Sequence, residues 1–222
     1  ICVIDGVALD HTYQKAKQAN LPNVSVIGYE QNRGKGHAVR YGMSQSEGQI
    51  IGFADSGDLD YSAIPLLFEH MKWYNADIVI GSKRHPASKV KYPWQRRIIS
   101  WVYQMLVKLL FSLNVRDTQV GIKFFRRQVI EKVLPRILVK EFAFDIEMLA
   151  VANYLGFTKI YEGPIHLSLD FSKNSSIVSK GFLRTVFSMV WDTLAVFYRL
   201  KILRYYDDAN RKNWRPNMYL EW

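Results

Sequence analysis

The chain has 222 residues, of which 49% are hydrophobic and 23% charged, a composition that excludes a disordered chain and supplies a large core. Its single cysteine, Cys2, excludes an internal disulfide framework and a cysteine-based zinc site. The net charge of +10 is concentrated in residues 83–140, which carry 14 basic and two acidic side chains and leave 16 basic and 18 acidic ones elsewhere. Such a local excess favours a site for phosphates or an anionic membrane over an evenly basic surface for nucleic acid.

Apolar and helical segments alternate through the first 81 residues. Strands are predicted over residues 1–5, 24–29, 50–54 and 77–81, and helices over residues 11–20, 35–47 and 64–75. This alternation is typical of βαβ units, so the sequence predicts an α/β fold with a mainly parallel sheet flanked by helices. In such a sheet, ligands bind beyond the carboxyl ends of the strands, and Asp5 and Asp55 both fall there.

The pattern changes after residue 81. The later elements are predicted as a helix over 92–113, a strand over 120–125, a helix over 144–155, an interrupted strand over 159–169, a polar loop over 170–180, a helix over 182–206 and a frayed charged tail. No transmembrane helix is predicted, because polar residues such as Gln104 and Lys108 interrupt every long apolar run. The aromatic and basic side chains of the two long helices favour amphipathic elements at a membrane interface; for the first, a core helix is the alternative.

Two segments suggest a site for a phosphate and a metal ion. The turn Asn32-Arg33-Gly34-Lys35-Gly36 opens a predicted helix, where backbone N–H groups and Lys35 favour a phosphate cradle. A tight turn with solvated basic residues explains the same pattern. Asp55, Asp58 and Asp60 place three carboxylates within six residues, which favours a divalent cation. A polar turn with a helix cap is the alternative, and it is favoured for Asp60.

Further candidates lie in the basic segment and beyond it. Lys83, Arg84, Arg96 and Arg97 form a cationic set suited to phosphate recognition. Asp117, between the long helix and the next strand, is interpreted either as a group that orients a sugar or acts as a base, or as a turn residue. The acids at 145 and 147 either face the cleft or cap their own helix.

Five stretches, in this order, resemble one known family. They are ICVIDG, NRGKGHAVRYGM, FADSGDLD, RDTQVGIKFFRR and FAFDIEMLAVA, and they span roughly residues 1–165. Together they are similar to the family 2 glycosyltransferases, which have the Rossmann-like GT-A fold, and more narrowly to the polyprenyl-phosphate type, the dolichyl-phosphate glucose and mannose synthases. The resemblance implies a glycosyltransferase domain over 1–169 and a C-terminal amphipathic helix and tail over 170–222. The first strand of the family has no counterpart here, so we expect the sequence to lack that strand.

The resemblance also implies roles for individual residues. Asp5 would contact the nucleoside, and Asp55 would begin the DxD metal motif for Mg²⁺ or Mn²⁺. The second acidic position of that motif reads Gly57, so Asp58 is expected to replace it. Arg84 and either Arg96 or Arg97 would bind phosphate. The residues matching the DTQ-G-K pattern, expected to line the donor and acceptor site, are Asp117, Gln119 and Lys123.

The activity implied by the resemblance is the inverting transfer of a hexose from UDP-glucose or GDP-mannose to a polyprenyl or dolichyl phosphate. The amphipathic helices would place the protein on the cytoplasmic leaflet of a membrane. Two alternatives stay open at this point. One is a glycosyltransferase with another acceptor, such as a lipid-linked oligosaccharide or a glycan. The other is an inactive paralogue that binds nucleotide or membrane, and no nucleic-acid-binding motif is present.

Overall fold

The fold is known from a computed structural model, which describes residues 2–6, 11–29, 33–55, 61–90, 94–140, 143–167 and 180–214. Its strands are β1 (Cys2–Gly6), β2 (Ser25–Tyr29), β3 (Ile50–Ala54), β4 (Ile78–Ser82), β5 (Lys89–Val90), β6 (Ile122–Arg126), β7 (Ile160–Pro164) and β8 (His166–Leu167). Its α-helices are α1 (Thr12–Gln18), α2 (Lys35–Ser44), α3 (Ala63–Trp73), α4 (Trp94–Phe111), α5 (Arg127–Val133), α6 (Phe144–Tyr154) and α7 (Lys180–Phe197). A π-helical turn (Tyr198–Ile202) and a 3-10 helix (Asp208–Asn213) follow α7.

The central sheet has four strands in the order β3-β6-β4-β7. Strand β6 runs antiparallel to both of its neighbours, whereas β4 and β7 are parallel, as are the separate pairs β1-β2 and β5-β8. The predicted α/β fold is confirmed, with a mixed central sheet. The register places Lys123 of β6 opposite Phe53 on one side and Ile80 on the other, so this lysine lies in the middle of the sheet.

The structure differs from the predicted elements in several places. Strand β5 was not predicted, and the helix predicted over 182–206 is α7, which ends at Phe197 and is followed by the π-helical turn to Ile202. Helix α5 follows β6 directly and was not predicted, because its seven residues are too few to show a clear helical period. The predicted strand over 159–169 is divided into β7 and β8. The division falls at Ile165, directly after Pro164, and the N–H of Ile165 donates to Ser88 Oγ at 3.0 Å instead of to a neighbouring strand. The polar loop predicted over 170–180 lies outside the described residues except for Lys180, the first residue of α7.

One large core joins the sheet to the long helices. Strand β4 is buried at all five positions, as expected for a strand covered on both faces. The same core contains Val107 of α4, Val196 of α7, and Leu200 and Tyr206 after it. The C-terminal segment therefore packs on the same core as the sheet, and the domain boundary at residue 169 stays a prediction. Within the described ranges, no helix has the length and apolarity needed to cross a bilayer.

The segment after α7 is described as far as Trp214. The 3-10 helix Asp208–Asn213 and the bond of Asp208 to Arg136 show that the frayed tail predicted after residue 206 is wrong over 207–214. Tyr206 is fully buried, and its hydroxyl donates a 2.6 Å hydrogen bond to Glu147 Oε1. Arg199 donates to the same oxygen at 3.3 Å. The other oxygen of Glu147 accepts the backbone N–H groups of Leu138 and Val139. A buried carboxylate with four donors thus ties the tail to the core.

A second set of contacts, made by Arg136, also holds the tail. The guanidinium of Arg136 donates to Asp208 at 2.6 Å and lies 3.9 Å from the ring of Trp214. A cation stacked on an indole ring is stabilised by the ring quadrupole. Both contacts join residues more than 50 positions apart, which explains why sequence patterns did not predict them.

We expect Glu147→Gln to lower the free energy of unfolding by about 2 to 4 kcal/mol, because the amide replaces a fully buried acceptor of charge-assisted bonds. Urea denaturation would measure the change. The matched control is Tyr154→Phe, which removes an exposed hydrogen bond to Asp207 in the same tail and should cost about 1 kcal/mol or less. Equal losses for the two variants would contradict the anchoring role of Glu147.

The contact between α4 and α7 predicts a dependence of stability on alkaline pH. Burial raises the pKa of Tyr103, whose hydroxyl bonds Thr193 Oγ1 at 2.7 Å. In the unfolded chain, this phenol ionises near pH 10, so the folded state binds more protons above that pH and stability falls as the pH rises. We expect the free energy of unfolding to fall less steeply between pH 9.5 and 11 in Tyr103→Phe. Identical slopes in urea denaturation would contradict this.

Candidate active site

Four side chains of alternating charge lie in a row at the carboxyl end of β3. Lys35 Nζ is 3.1 Å from Asp55 Oδ2 and 3.2 Å from Asp145 Oδ2. The other oxygen of Asp145 is 2.6 Å from Lys123 Nζ. The row joins the end of β3, the first residue of α2, the first turn of α6 and the middle of β6. Four elements that are distant in sequence are therefore held together by one set of ion pairs.

Lys123 forms the buried end of this row. Its side chain is fully buried, and it also donates to the carbonyl of Val120 and lies 5.3 Å from the ring centroid of Phe53. Burial lowers the pKa of Lys123, and the carboxylate of Asp145 opposes this. A fully buried ammonium group is not positioned to touch a substrate. We therefore assign Lys123 a supporting place beneath the site, where it holds the segment before β6 to α6.

Lys35 and Asp55 form the accessible end. Burial by itself lowers the pKa of Lys35, but Asp145 and Asp55 outweigh it, so this pKa lies above its ordinary value. The Asp55 side chain is 45% exposed, so its carboxylate is open to solvent. Its backbone N–H donates to the carbonyl of Gly121 at 2.7 Å. A Cβ atom at position 121 would lie 2.1 Å from Asp55 Oδ2, so the carboxylate needs glycine there.

The start of α2 differs from the predicted phosphate cradle. The backbone N–H groups of Gly36 and His37 both donate to the carbonyl of Lys140, so these two amides are already bonded within the protein. A Cβ atom at Gly36 would lie 2.7 Å from Phe144 Cβ and 2.9 Å from the Lys140 carbonyl. The second glycine of NRGKG is therefore explained by close packing. Lys35 remains at the site through its ammonium group.

Asp117 is held in place by backbone donors. Its side chain is 93% buried; Oδ2 accepts the N–H of Lys83 at 3.0 Å and Oδ1 that of Gln119 at 3.3 Å. The backbone N–H groups of Arg116 and Asp117 donate to Glu162 Oε1 on β7. With both oxygens engaged, Asp117 is suited to fixing the shape of this loop and the position of Gln119.

The phosphate-binding candidates are only partly described. Arg84 lies in the turn after β4 and donates to Ser100 Oγ on α4 at 2.9 Å. Arg96 and Arg97 lie in the first turn of α4 and Asp5 lies on β1, but their side chains fall outside the described part of the structure. Asp58 lies outside the described residues altogether. Arg84 thus connects the carboxyl end of β4 with the helix that carries the other two arginines.

The sequence of this chain matches a known protein family over more than half of its length. A family model described as glycosyl transferase family 2 matches residues 1–134, more than half of the chain. The chain belongs to this family. Among solved structures, glucosyl-3-phosphoglycerate synthase from Mycobacterium tuberculosis in complex with Mn²⁺, UDP-glucose and phosphoglyceric acid superposes with a TM-score of 0.63 at 18% identity, covering 89% of this chain and 66% of that one. At that identity the likeness concerns the fold, and it confirms the GT-A type.

Two kinds of relative are similar in sequence to this family 2 chain. Dolichyl-phosphate beta-glucosyltransferases are 32% identical over 148 residues in Drosophila melanogaster (63% of this chain, 45% of the relative) and 29% over 166 residues in Homo sapiens (69% and 51%). An undecaprenyl-phosphate mannosyltransferase from Micrococcus luteus is 28% identical over 173 residues (74% and 70%). The chain spans about half the length of the dolichyl-phosphate relatives it matches.

The donor set at Asp55 fits a divalent cation of the hard type. Carboxylate oxygens are the ligands that Mg²⁺ prefers, and one or two carboxylates suffice when a substrate phosphate supplies the rest. Among the described residues, no group of three or more His, Cys, Asp and Glu side chains is placed to hold a metal. A family 2 site of this kind would therefore hold its ion through Asp55 and the ligands that a nucleotide brings, with Asp58 as the expected second carboxylate.

Asp145 is the site residue that sequence analysis left undecided. It carries the contacts to both lysines, which supports the cleft interpretation, and the structure shows no side-chain cap at the start of α6. Glu147 neither caps α6 nor faces the cleft, since it anchors the tail. The sequence feature that could have identified Asp145 is the pair of acids in an otherwise apolar helix, because a buried carboxylate requires a partner.

We expect Asp145→Asn to lower the free energy of unfolding by about 3 to 5 kcal/mol, because it leaves the fully buried Lys123 ammonium without its counter-ion. The double variant K123M/D145N removes both charges and should recover most of that loss. A thermodynamic cycle from urea denaturation would measure the coupling. Additive losses for the two substitutions would show that the pair is not the element that holds β6 to α6.

Proposed function

We propose that this protein transfers a hexose from a nucleotide-diphosphate sugar to a polyprenyl phosphate, with inversion at the anomeric carbon, at the cytoplasmic face of a membrane. The observation that carries the proposal is the position of Arg84. Its guanidinium contacts Ser100, so a phosphate-binding group lies against the inner side of a helix whose outer side is apolar and exposed.

Both α4 and α7 expose apolar side chains. The most exposed of these on α4 are Ile98, Trp101, Val102, Met105 and Leu109, and on α7 they are Phe187, Trp191 and Leu194. The two helices are joined by the hydrogen bond between Tyr103 and Thr193 and by the ring contact of Phe111 with Phe197. Large apolar surfaces with basic residues nearby favour the lipid interface. We therefore propose these exposed side chains as the membrane-docking surface.

The chemistry required of the protein is modest. A phosphate oxygen of the acceptor attacks the anomeric carbon, and the bond from that carbon to the nucleotide diphosphate breaks. Because the acceptor is already an anion at neutral pH, no strong base is needed, and Asp117 serves to orient the loop. Arg84, with Arg96 or Arg97, would bind the acceptor phosphate and lower its repulsion with the donor. A divalent cation at Asp55 would supply charge neutralisation for the leaving diphosphate.

UDP-glucose is the donor we favour, with GDP-mannose as the alternative. The relatives with glucosyltransferase names outnumber the mannosyltransferase among those compared, and the RDTQ-G-K pattern resembles the glucose branch. The proposal extends to membrane association, since the docking surface lies on the side of α4 away from the core. The inactive paralogue and the alternative acceptor become outcomes of the experiment.

The test offers purified protein radiolabelled UDP-glucose and GDP-mannose in parallel, with polyprenyl phosphate in detergent and Mg²⁺ or Mn²⁺. We expect label in the organic phase from one donor. We also expect Asp55→Ala to lower transfer at least about 100-fold, since it removes the carboxylate proposed to hold the cation that neutralises the leaving diphosphate. The matched control is Glu69→Ala, an exposed acid on α3 paired with Lys72, which should leave transfer unchanged.

Other outcomes would contradict parts of the proposal. Nucleotide binding without label in the organic phase would favour another acceptor. Neither binding nor transfer would favour the inactive paralogue. Full activity of Asp55→Ala would show that Asp55 does not hold the metal.

A further inference from the structure

Helix α4 has a polar stripe that the proposed chemistry does not use. Ser100 and Gln104 are four residues apart, which places them on the same side of the helix, one turn from each other. Ser100 accepts the hydrogen bond from Arg84. Gln104 is one of the polar residues that interrupt the apolar run of α4, and its contacts explain the interruption.

Both ends of the Gln104 amide are engaged with the segment that follows α4. Its Nε2 donates to the carbonyl of Val115 at 2.9 Å, and its Oε1 accepts the hydroxyl of Thr118 at 3.1 Å. Thr118 is fully buried and Val115 nearly so. The two bonds bracket Arg116 and Asp117, and thereby fix this loop, residues 115–119, against α4.

The loop is held on two further sides. Lys83, in the turn after β4, donates its backbone N–H to Asp117. Glu162, on β7, accepts the N–H groups of two loop residues. The contacts at Lys83 and Glu162 tie the loop to the sheet, whereas Gln104 alone among these ties it to α4. Because the outer side of α4 carries Trp101 and Met105, 56% and 53% exposed, Gln104 connects the loop to the proposed docking surface.

We infer that Gln104 is a positioning residue, which sets the height of the loop carrying Asp117 above the lipid surface and so aligns the site with a lipid-anchored phosphate. The inference rests on the proposed function. An α-helix with its side chains is about 10 Å across, so the loop that Gln104 binds lies within about one helix diameter of the exposed side of α4. A phosphate anchored in lipid cannot follow the loop if that spacing changes. A water molecule that attacks the donor is not restricted in this way.

The test compares transfer to polyprenyl phosphate in vesicles with hydrolysis of the donor by water. Gln104→Met keeps the volume and removes both hydrogen bonds. We expect kcat for transfer to fall at least about tenfold, because small misplacements of reacting groups carry large rate penalties, while the donor KM and the hydrolysis rate stay unchanged. Gln49→Met makes the same replacement at an exposed glutamine before β3 and should leave both reactions unchanged.

The outcomes are distinguishable. Parallel loss of transfer and hydrolysis in Gln104→Met would indicate a purely structural role and overturn the inference, as would unchanged transfer. If the variant does not fold, Thr118→Val removes one of the two hydrogen bonds from the loop side and should lower transfer selectively. Donor hydrolysis by the wild-type protein without transfer to polyprenyl phosphate would overturn the proposed function, and this inference with it.

Discussion

The ion pairs of Asp145 with Lys123 and Lys35 are the interaction on which the site depends. One carboxylate, almost fully buried, neutralises a fully buried ammonium group beneath the site and a second one at the edge of the cleft. Burying a charge without a partner is costly, so β6, α2 and α6 can pack together only in the arrangement that brings these groups into contact. That arrangement also sets Lys35 against Asp55 and leaves the carboxylate of Asp55 half exposed.

A second buried carboxylate, Glu147, makes a comparable set of contacts on the other side of α6. Glu147 accepts the N–H groups of Leu138 and Val139, and the next residue, Lys140, gives its carbonyl to the start of α2. The same glutamate binds Tyr206 and Arg199 in the tail. The segment after α7 is thereby linked, through α6, to the residue that holds Lys35. The two acids of one helix turn support the site from opposite sides.

Helix α4 has an exposed apolar side and an inner side whose partners change along its length. Trp101 and Leu109 face outward. The inner side carries Ser100, Gln104, Val107 and Phe111, which are spaced three or four residues apart. The first two bond Arg84 and the loop at residues 115–119, and the last two pack in the core with Tyr103. A helix of this kind brings an apolar exterior to within about one helix diameter of a basic site, which suits the proposed acceptor with a charged head and a lipid chain.

The sequence by itself determined the elements and several of the site positions. Periodicity and alternation are local properties, so they predicted the strands and long helices of an α/β fold and placed Asp55 at the end of β3 and Asp117 before β6. The tertiary structure alone decided that Lys123 is buried, that Asp145 joins two lysines, that the amides of α2 bind Lys140, and that the tail is ordered. Each of these depends on side-chain or backbone groups that meet across 20 or more positions of the chain. Neither the cost of burying their charges nor the partner that offsets it can be read from neighbouring residues.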